Sequence, residues 1–284
     1  TSIAIPDSVT SIGSEAFWCC TSLESITIGS GVTSIGRQAY EDTLYYSNES
    51  NWENGVLYID KYLIRAKDDI SGAYAIKGGT LCIAFGAFRD CTSLTSMVIP
   101  DSVTSIGGYA FSDCASLTSM VIPDGVTSIG EGAFLYCPLL ESVTIGNGVT
   151  SIGDYAFHNC LSLENVTIGN GVTSIGASAF SYCTSLTSIE IPDSVTSIDT
   201  QVFSYCTSLK SITIGKSVTS IGQSAFESCT SLTSVTFANP NGWWVSTSSS
   251  AASGTNLSSS DLSDPAIAAR CLTSTYSDFY WHRS

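Results

Sequence analysis

The residues best suited to chemistry in this sequence are its cysteines, most of which occupy one place in a repeating pattern. Eight of the eleven fall in that column: Cys20, Cys91, Cys114, Cys137, Cys160, Cys183, Cys206 and Cys229. A zinc site needs four ligands around one point, which a straight row cannot provide. Disulfides between neighbours would combine acceptable Cα spacing with unfavourable, parallel Cβ vectors. The row therefore predicts buried free thiols that act as small apolar side chains, and Cys19, Cys82 and Cys271 lie outside it.

Other reactive groups are few. The two histidines, His158 and His282, have no triad partner in the sequence pattern, and His158 is expected to be an exposed variant position of its repeat. Aspartates recur after proline, as at Asp101 and Asp193, where turn chemistry explains them. The sequence has no recurring carboxylate pair, phosphate-binding glycine loop, metal-spaced cluster or nucleophile elbow. It therefore predicts a protein that is not an enzyme and that needs no cofactor or metal.

The cysteines and their neighbours belong to a unit of 23 residues, whose cleanest copy runs from Ile99 to Val121. In another copy, Val143 and Ile145 alternate with polar residues, which predicts a short strand with one buried face. Glycine or Pro-Asp then ends the strand. The column of Gly153, which is glycine in most copies, is expected to adopt a positive φ. Apolar residues at spacings of three, such as Phe157 and Cys160, predict a short helical or 3-10 turn.

One unit cannot cover its own apolar side chains, so the copies must stack. At the ~4.8 Å spacing of paired strands, equivalent side chains of successive coils form ladders. One such ladder should contain Phe88, Phe111, Phe134, Phe157, Phe180, Phe203 and Phe226. The predicted fold is a mainly β solenoid, with short parallel strands stacked coil on coil and short helical or 3-10 turns on the other side.

The period divides the chain into a solenoid over residues 1–237 and a C-terminal cap over residues 238–284. The cap is expected to combine a Ser-rich loop, a short helix started by Asp264 and Pro265, and an aromatic tail. Trp243 and Trp244 could alternatively form a platform for sugar stacking. A capping segment is expected because the last coil of a solenoid needs a cover.

A diverged repeat at about residues 41–75 contains a predicted β-hairpin around Asp60 and Lys61. Aromatic residues and cations are concentrated there, and together they can form a binding patch. The candidate patch residues are Trp52, Tyr58, Tyr62 and Arg65. The alternative is a variant repeat that packs its own aromatic rings and exposes its charges.

The charge balance excludes two classes of partner. The formal net charge is −15, with 10 Lys+Arg against 25 Asp+Glu, whereas nucleic acids and anionic membranes are bound by clustered cations. No apolar run approaches the ~20 residues that span a bilayer, so no membrane insertion is expected. Thr1 to Ile3 match the end of a repeat, so we expect the natural chain, with any secretion signal, to extend upstream.

The repeat pattern I-P-D-S-V-T-S-I-G-x-x-A-F-x-x-C-x-S-L-x-S-V-x resembles the BspA-type leucine-rich repeat of bacterial surface proteins, over about four-fifths of the chain. The resemblance implies a leucine-rich repeat solenoid that is displayed on the cell surface or secreted. It also implies adhesion to a protein partner, such as a host extracellular-matrix or cell-surface protein. It supplies no binding residues.

The leading functional hypothesis is therefore a non-enzymatic binding or adhesion module. Its first candidate surface is the strand strip, formed by the outward positions of the strands: Ser96, Val98, Ser119, Val121, Ser142, Thr144, Asn165, Thr167, Ser188, Glu190, Ser211 and Thr213. One alternative is a passive structural spacer within a larger surface protein. A remote alternative is a binder of an ordered surface such as ice or crystalline polysaccharide, because Thr104 and its equivalents should form a regular row.

Overall fold

A computed structural model describes residues 1–283 and shows the repeats stacked as coils of a solenoid. A first row of short strands follows the apolar alternation of the repeat. Its strands are Ser2–Ile5, Ser25–Ile28, Ser71–Ala75, Ser93–Val98, Ser119–Ile122, Ser142–Ile145, Asn165–Thr167, Ser188–Glu190, Ser211–Ile214 and Ser234–Phe237. Neighbouring strands pair in parallel at an offset of one repeat, for example with Val143 opposite Val166. The predicted parallel solenoid is confirmed.

A second row consists of two-residue strands that follow the turn after each first-row strand. They are Ser11–Ile12, Ser34–Ile35, Cys82–Ile83, Ser105–Ile106, Ser128–Ile129, Ser151–Ile152, Ser174–Ile175, Ser197–Ile198 and Ser220–Ile221. The last seven belong to one sheet, which continues into the hairpin of the diverged repeat at one end and into C-terminal strands at the other. Each coil therefore presents two strands to its neighbours.

The core between the two rows is a set of side-chain ladders. The seven phenylalanines from Phe88 to Phe226 are almost fully buried. Their rings stack with centroid distances of 5.1–5.7 Å and interplanar angles of 1–18°. The predicted phenylalanine ladder is confirmed, and burial of each ring contributes about 1.5–3 kcal/mol before conformational entropy is subtracted.

The segment that closes each coil is a chain of turns and not a helix. The N–H of His158 donates to the carbonyl of Tyr155 at 3.0 Å, which is a single i to i+3 turn. Tyr155 and Asn159, however, have φ values of 55° and 61°. Their N–H groups donate to carbonyls of the next coil at 2.9 Å. This alternation joins adjacent coils but prevents a continuous helix, so the expected helical turn is reduced to isolated turns.

The expectation of a positive φ for the Gly153 column was wrong. None of these glycines has a positive φ. A Cβ on Gly153 would instead lie 2.7 Å from the backbone nitrogen of Glu131 in the preceding coil, and one on Gly107 would lie 2.6 Å from that of Phe85. Gly13, in the first coil, has no atom within 4 Å of that position. Glycine is thus favoured because adjacent coils approach too closely for a side chain.

The diverged repeat forms a wall between two cores. Strand Trp52–Glu53 pairs with Val56–Ile59, which pairs antiparallel with Tyr62–Ala66. The predicted hairpin around Asp60 and Lys61 is therefore confirmed. One face, with Leu57, Ile59, Tyr62 and Ile64, packs on the first two coils. The opposite face, with Val56, Tyr58, Leu63 and Ala66, packs on the main stack. A short α-helix, Leu44–Ser47, and a 3-10 turn, Glu49–Asn51, precede the wall.

The C-terminal segment covers the last coil. Strand Tyr280–Arg283 pairs antiparallel with Ser220–Ile221 and with Trp243–Ser246, which also pairs with Thr255–Asn256. The helical part consists of Ser259–Ser263, Pro265–Arg270 and a π-helical turn, Cys271–Thr275. The Asp264 carboxylate caps the second of these at the N–H groups of Ala266 and Ile267. Among residues 1–283, no helix has the length and apolar character to cross a bilayer.

Candidate binding surfaces

The cysteine row holds the coils together and is not a reactive site. From Cys91 to Cys229 all seven thiols are buried and free, but Cys20, in the first coil, is exposed, which corrects the expectation for that residue. The Sγ of Cys160 donates to the carbonyl of Phe134 in the preceding coil at 3.2 Å, and the next three thiols do the same at 3.0–3.3 Å. Burial raises the pKa of Cys229 to about 12, so at neutral pH this cysteine lacks the thiolate that nucleophilic chemistry requires.

A serine and a histidine meet in the C-terminal segment without forming a catalytic pair. Ser246 Oγ lies 3.2 Å from Nε2 of His282. The same hydroxyl donates its hydrogen to the carbonyl of Ser248 at 2.6 Å, so the imidazole has no proton to remove. The His282 ring stacks on Trp244 at 4.2 Å. Within residues 1–283, no group of three or more His, Cys, Asp or Glu side chains could hold a metal ion.

Trp243 and Trp244 do not form the open platform that sugar stacking requires. Trp243 is 1% exposed and packs against Phe237 and Trp281. Only Trp244 is partly accessible, and one of its faces is covered by His282. The tryptophans therefore belong to the cover over the last coil.

Asp7, Asp124 and Asp193, which follow proline, accept hydrogen bonds from the backbone of the next coil. Asp7 Oδ1 accepts from the N–H of Ser30 at 2.6 Å, and Asp124 Oδ1 accepts from that of Asn147 at 2.6 Å. We expected these side chains to bond to their own turns. They link turns of adjacent coils instead, so these aspartates stabilise the stack of coils.

The strand strip lies on one face of the first row, and none of its residues is buried. Parallel pairing brings them into register, with Ser142 opposite Asn165 and Thr144 opposite Thr167. Strand pairing is interrupted after Asn165–Thr167, so the strip is divided between two sheets. Val98 and Val121 are its exposed apolar residues, at 64% and 63%. The strip is otherwise a narrow surface of small polar groups, and its role in binding stays a prediction.

The predicted threonine row is present, but its hydroxyl hydrogens are used within the solenoid. Thr150 Oγ1 donates to the carbonyl of Thr127 at 3.0 Å, and Thr173 donates to that of Thr150 at 3.0 Å. Equivalent bonds are made by the other members. Only methyl groups and oxygen lone pairs are left for an ordered surface, which weakens the lattice-binding alternative.

In the insert, the structure separates the four candidate residues. Tyr58 and Tyr62 are 7% and 0% exposed and fill opposite sides of the wall. Trp52 and Arg65 are partly exposed. Arg65 bonds to the carbonyl of Gly86 and to Asp68, while Lys67 pairs with Glu49 and lies over the Trp52 ring. In this patch, Tyr58 and Tyr62 therefore belong to the hydrophobic cores, and the charge of Arg65 is neutralised by Asp68. Binding through Trp52 and Arg65 stays a prediction.

The face that closes the coils carries an aromatic cluster that the sequence reading did not identify. We call it the tyrosine face, and it consists of Tyr109, Tyr136, Tyr155, His158, Tyr182 and Tyr205. The His158 ring meets Tyr136, Tyr155 and Tyr182 edge-on at 5.9, 5.7 and 5.3 Å. Tyr182 stacks on Tyr205 at 4.5 Å. Four of the tyrosines are 36–45% exposed. Contiguous exposed aromatic side chains of this kind are typical of interaction sites.

His158 lies at the centre of this face, and the expectation of an exposed variant position was wrong. Its Nδ1 is hydrogen-bonded to the buried hydroxyl of Ser181 in the next coil. Burial lowers the pKa of His158 below its usual 6.5, so the ring is neutral at pH 7. The histidine therefore positions the surrounding tyrosine rings without adding positive charge.

The backbone under the tyrosines is in the left-handed region. All five have φ values of 53–60°. Other copies place Asp90, Asp113, Asn159 or Gly132 at equivalent sites, but also Gln38, Ser178, Gln201 and Ser228, so the positive φ is a general feature of these two columns. For a tyrosine it costs about 1–2 kcal/mol, and partial burial of an exposed ring offsets little of that cost.

Comparison with known families identifies the repeat. A protein-family model described as BspA type Leucine rich repeat region matches residues 1–71, 74–186 and 150–268, in six copies. The chain belongs to the BspA-type leucine-rich repeat family. In this BspA-type solenoid, the residues of the glycine, phenylalanine and cysteine columns make the contacts between adjacent coils.

Solved structures similar to this BspA-type chain are bacterial leucine-rich repeat proteins. A leucine rich cell surface protein from Faecalibacterium prausnitzii is 29% identical, with coverage of 84% of this chain and 79% of that one and a TM-score of 0.43. A leucine-rich repeat protein from Bacteroides ovatus is 25% identical, with coverages of 83% and 78% and a TM-score of 0.42. A search of curated proteins finds no match.

Proposed function

We propose that this BspA-type protein is a non-enzymatic binding or adhesion module, displayed on a bacterial cell surface or secreted, that holds a protein partner on a rigid solenoid. The tyrosine face is the observation that carries the proposal. It offers Tyr136, Tyr155, Tyr182 and Tyr205 as exposed rings in a fixed arrangement. Tyrosine is enriched among the residues that dominate protein interfaces, because it buries a large rigid area at little entropic cost.

The stacked coils favour this role because they keep the rings in place before a partner binds. The residues beneath the face are fully buried, including Phe157 and Cys160. A preorganised surface loses little conformational entropy on association. The strand strip and the exposed part of the insert are alternative surfaces for the same function.

The test is a solid-phase binding screen of the purified protein against extracellular-matrix proteins, mucin and host-cell surfaces. Three variants locate the site: Tyr182→Asn with Tyr205→Asn on the tyrosine face, Ser142→Arg with Thr167→Arg on the strand strip, and Trp52→Ala in the insert. The insert is tested by a point substitution and not by deletion, because the hairpin contributes residues to both cores and its removal would disrupt them.

Saturable binding that one of the three variants abolishes would support the adhesion role and identify the surface. Circular dichroism must show that the variant is folded. Absence of saturable binding to every protein and cell surface would overturn the proposal and favour a passive spacer.

A further inference from the structure

The tyrosine face lies in a part of the chain that has no positive side chain. From residue 90 to residue 209 the sequence contains no lysine or arginine, although it contains eleven aspartates and glutamates. The cations of the protein lie in and around the insert and toward the C-terminus. The coils that carry the five tyrosines therefore have an excess of negative side chains, and the nearest cation is Arg89, in the preceding coil, which acts on Tyr109.

Three of these carboxylates lie on the tyrosine face itself. The hydroxyl of Tyr109 donates to Glu131 Oε1 at 2.8 Å. This bond raises the pKa of Tyr109, while Arg89 in the preceding coil acts in the opposite direction. Asp154 is adjacent to Tyr155 in the chain and is exposed. Asp113 lines a shallow depression with Tyr136 and Pro138. Within the part of the chain that the structure describes, none of the three carboxylates forms an ion pair.

The local packing leaves room for the ring of Tyr109, whose hydroxyl bonds to one of these carboxylates. Gly132 stands in the coil that follows Tyr109, and a Cβ there would lie 2.8 Å from a ring carbon of that tyrosine. Glycine thus leaves room for the ring to lie across the next coil. The ring of Tyr109 also touches Phe85 at a centroid distance of 5.3 Å, so the aromatic surface continues beyond the central cluster.

We propose that the tyrosine face binds a lysine- and arginine-rich segment of a partner protein, whose cations lie over the tyrosine rings and pair with Glu131, Asp154 and Asp113. Aromatic faces attract ammonium and guanidinium groups, and exposed carboxylates complement their charge. This inference rests on the proposed function of protein binding and specifies the chemistry of the partner. A neutral sugar chain could also stack on tyrosines, but it would gain nothing from the carboxylates.

The test measures fluorescence anisotropy of a labelled peptide that alternates lysine or arginine with glycine. A peptide with glutamate in place of the cations is the negative control. The full chain should bind the basic peptide saturably and the acidic peptide not at all. Affinity should fall as the NaCl concentration rises, because opposite charges are screened.

Three double variants separate the face from general attraction to an acidic protein. Glu131→Gln with Asp154→Asn removes two charges from the face, and Glu164→Gln with Glu190→Gln removes two charges from the strand side. Tyr182→Asn with Tyr205→Asn removes two rings, and asparagine is the residue that the equivalent Asn159 uses in the same backbone conformation. We expect about a two- to fivefold loss of affinity for each ring removed. The face charge pair should weaken binding more than the strand-side pair.

Equal losses from the two charge pairs would overturn the proposal, because the attraction would then be non-specific. Binding of a neutral oligosaccharide that depends on Tyr182 and Tyr205 but not on salt or charge would overturn it in favour of a carbohydrate. If the adhesion screen finds a protein whose binding survives the tyrosine substitutions, the proposed function stands and this inference fails. If the basic peptide and every screened surface fail to bind, both fail.

Discussion

Substitution of Gly153 by alanine tests whether the spacing of the coils sets the glycine column. The new Cβ would lie 2.7 Å from the backbone nitrogen of Glu131 and 2.7 Å from the carbonyl carbon of Gly130. Both atoms belong to the backbone of the preceding coil, so no rotamer change can relieve the contact. The two coils must move apart, and the ladders between them must lengthen.

Two residues other than glycine occupy this column. Ala84 follows the hairpin and not a regular coil, so Asp199 is the natural example of this accommodation between two regular coils. Asp199 occupies the glycine column, and its N–H bonds to the carbonyl of Ile175 at 3.2 Å, whereas six glycines make the equivalent bond at 2.8–2.9 Å. At the same interface the Phe180 and Phe203 centroids are 5.7 Å apart, compared with 5.1–5.4 Å elsewhere in the ladder. A side chain is therefore tolerated at the expense of packing. We expect Gly153→Ala to destabilise the fold by about 1–3 kcal/mol, the usual cost of overpacking.

Gly13→Ala is the matched control, because nothing lies within 4 Å of its added Cβ. Its effect should stay within about 0.5 kcal/mol, as for an ordinary surface substitution. Gly36→Ala, in the next coil, should behave like Gly153→Ala, because its Cβ would lie 2.5 Å from the nitrogen of Ser14. Urea denaturation followed by circular dichroism gives the three free energies of unfolding. Equal destabilisation by all three substitutions would refute the steric explanation and indicate an intrinsic backbone requirement for glycine.

Three further predictions concern the core and its titratable groups. Phe157→Ala removes a ring stacked between Phe134 and Phe180 and should cost about 3–5 kcal/mol in urea denaturation; a cost below 1 kcal/mol would contradict the ladder. Maleimide labelling read by mass spectrometry should modify the exposed Cys19 and Cys20 in the native protein, and the seven buried cysteines from Cys91 to Cys229 only after unfolding. Because burial lowers the pKa of His158, the unfolded chain binds its proton more readily, so stability should decline as pH falls through about 6.5 and level off below the folded-state pKa. His158→Gln should remove that part of the pH dependence, and an unchanged profile would show that other groups cause it.

The solenoid could be predicted from the sequence because each repeat column supplies the same evidence many times. Alternation around Val143 gave the strands, and the spacing of Phe157 and its equivalents gave the ladder. The role of Gly153 was misassigned because two different requirements select glycine, a positive φ and a close approach of adjacent coils. The sequence does not distinguish these two requirements, whereas the coordinates do. The tyrosine face was missed because its residues come from two columns of different repeats and meet only after stacking. The sequence did contain an indication of this face, since Tyr136 and Tyr182 stand where neighbouring copies have Asp or Asn.

The hairpin wall has a mechanical consequence for the chain. Leu57 and Ile59 anchor the first two coils on one side, while Val56 and Leu63 close the main stack on the other. At the opposite end, Trp281 covers the last coil. A pulling force or a protease that opens the first two coils would therefore reach a layer that still covers the remaining stack. We therefore expect the tyrosine face, which lies beyond the hairpin, to keep its shape when the first two coils are lost.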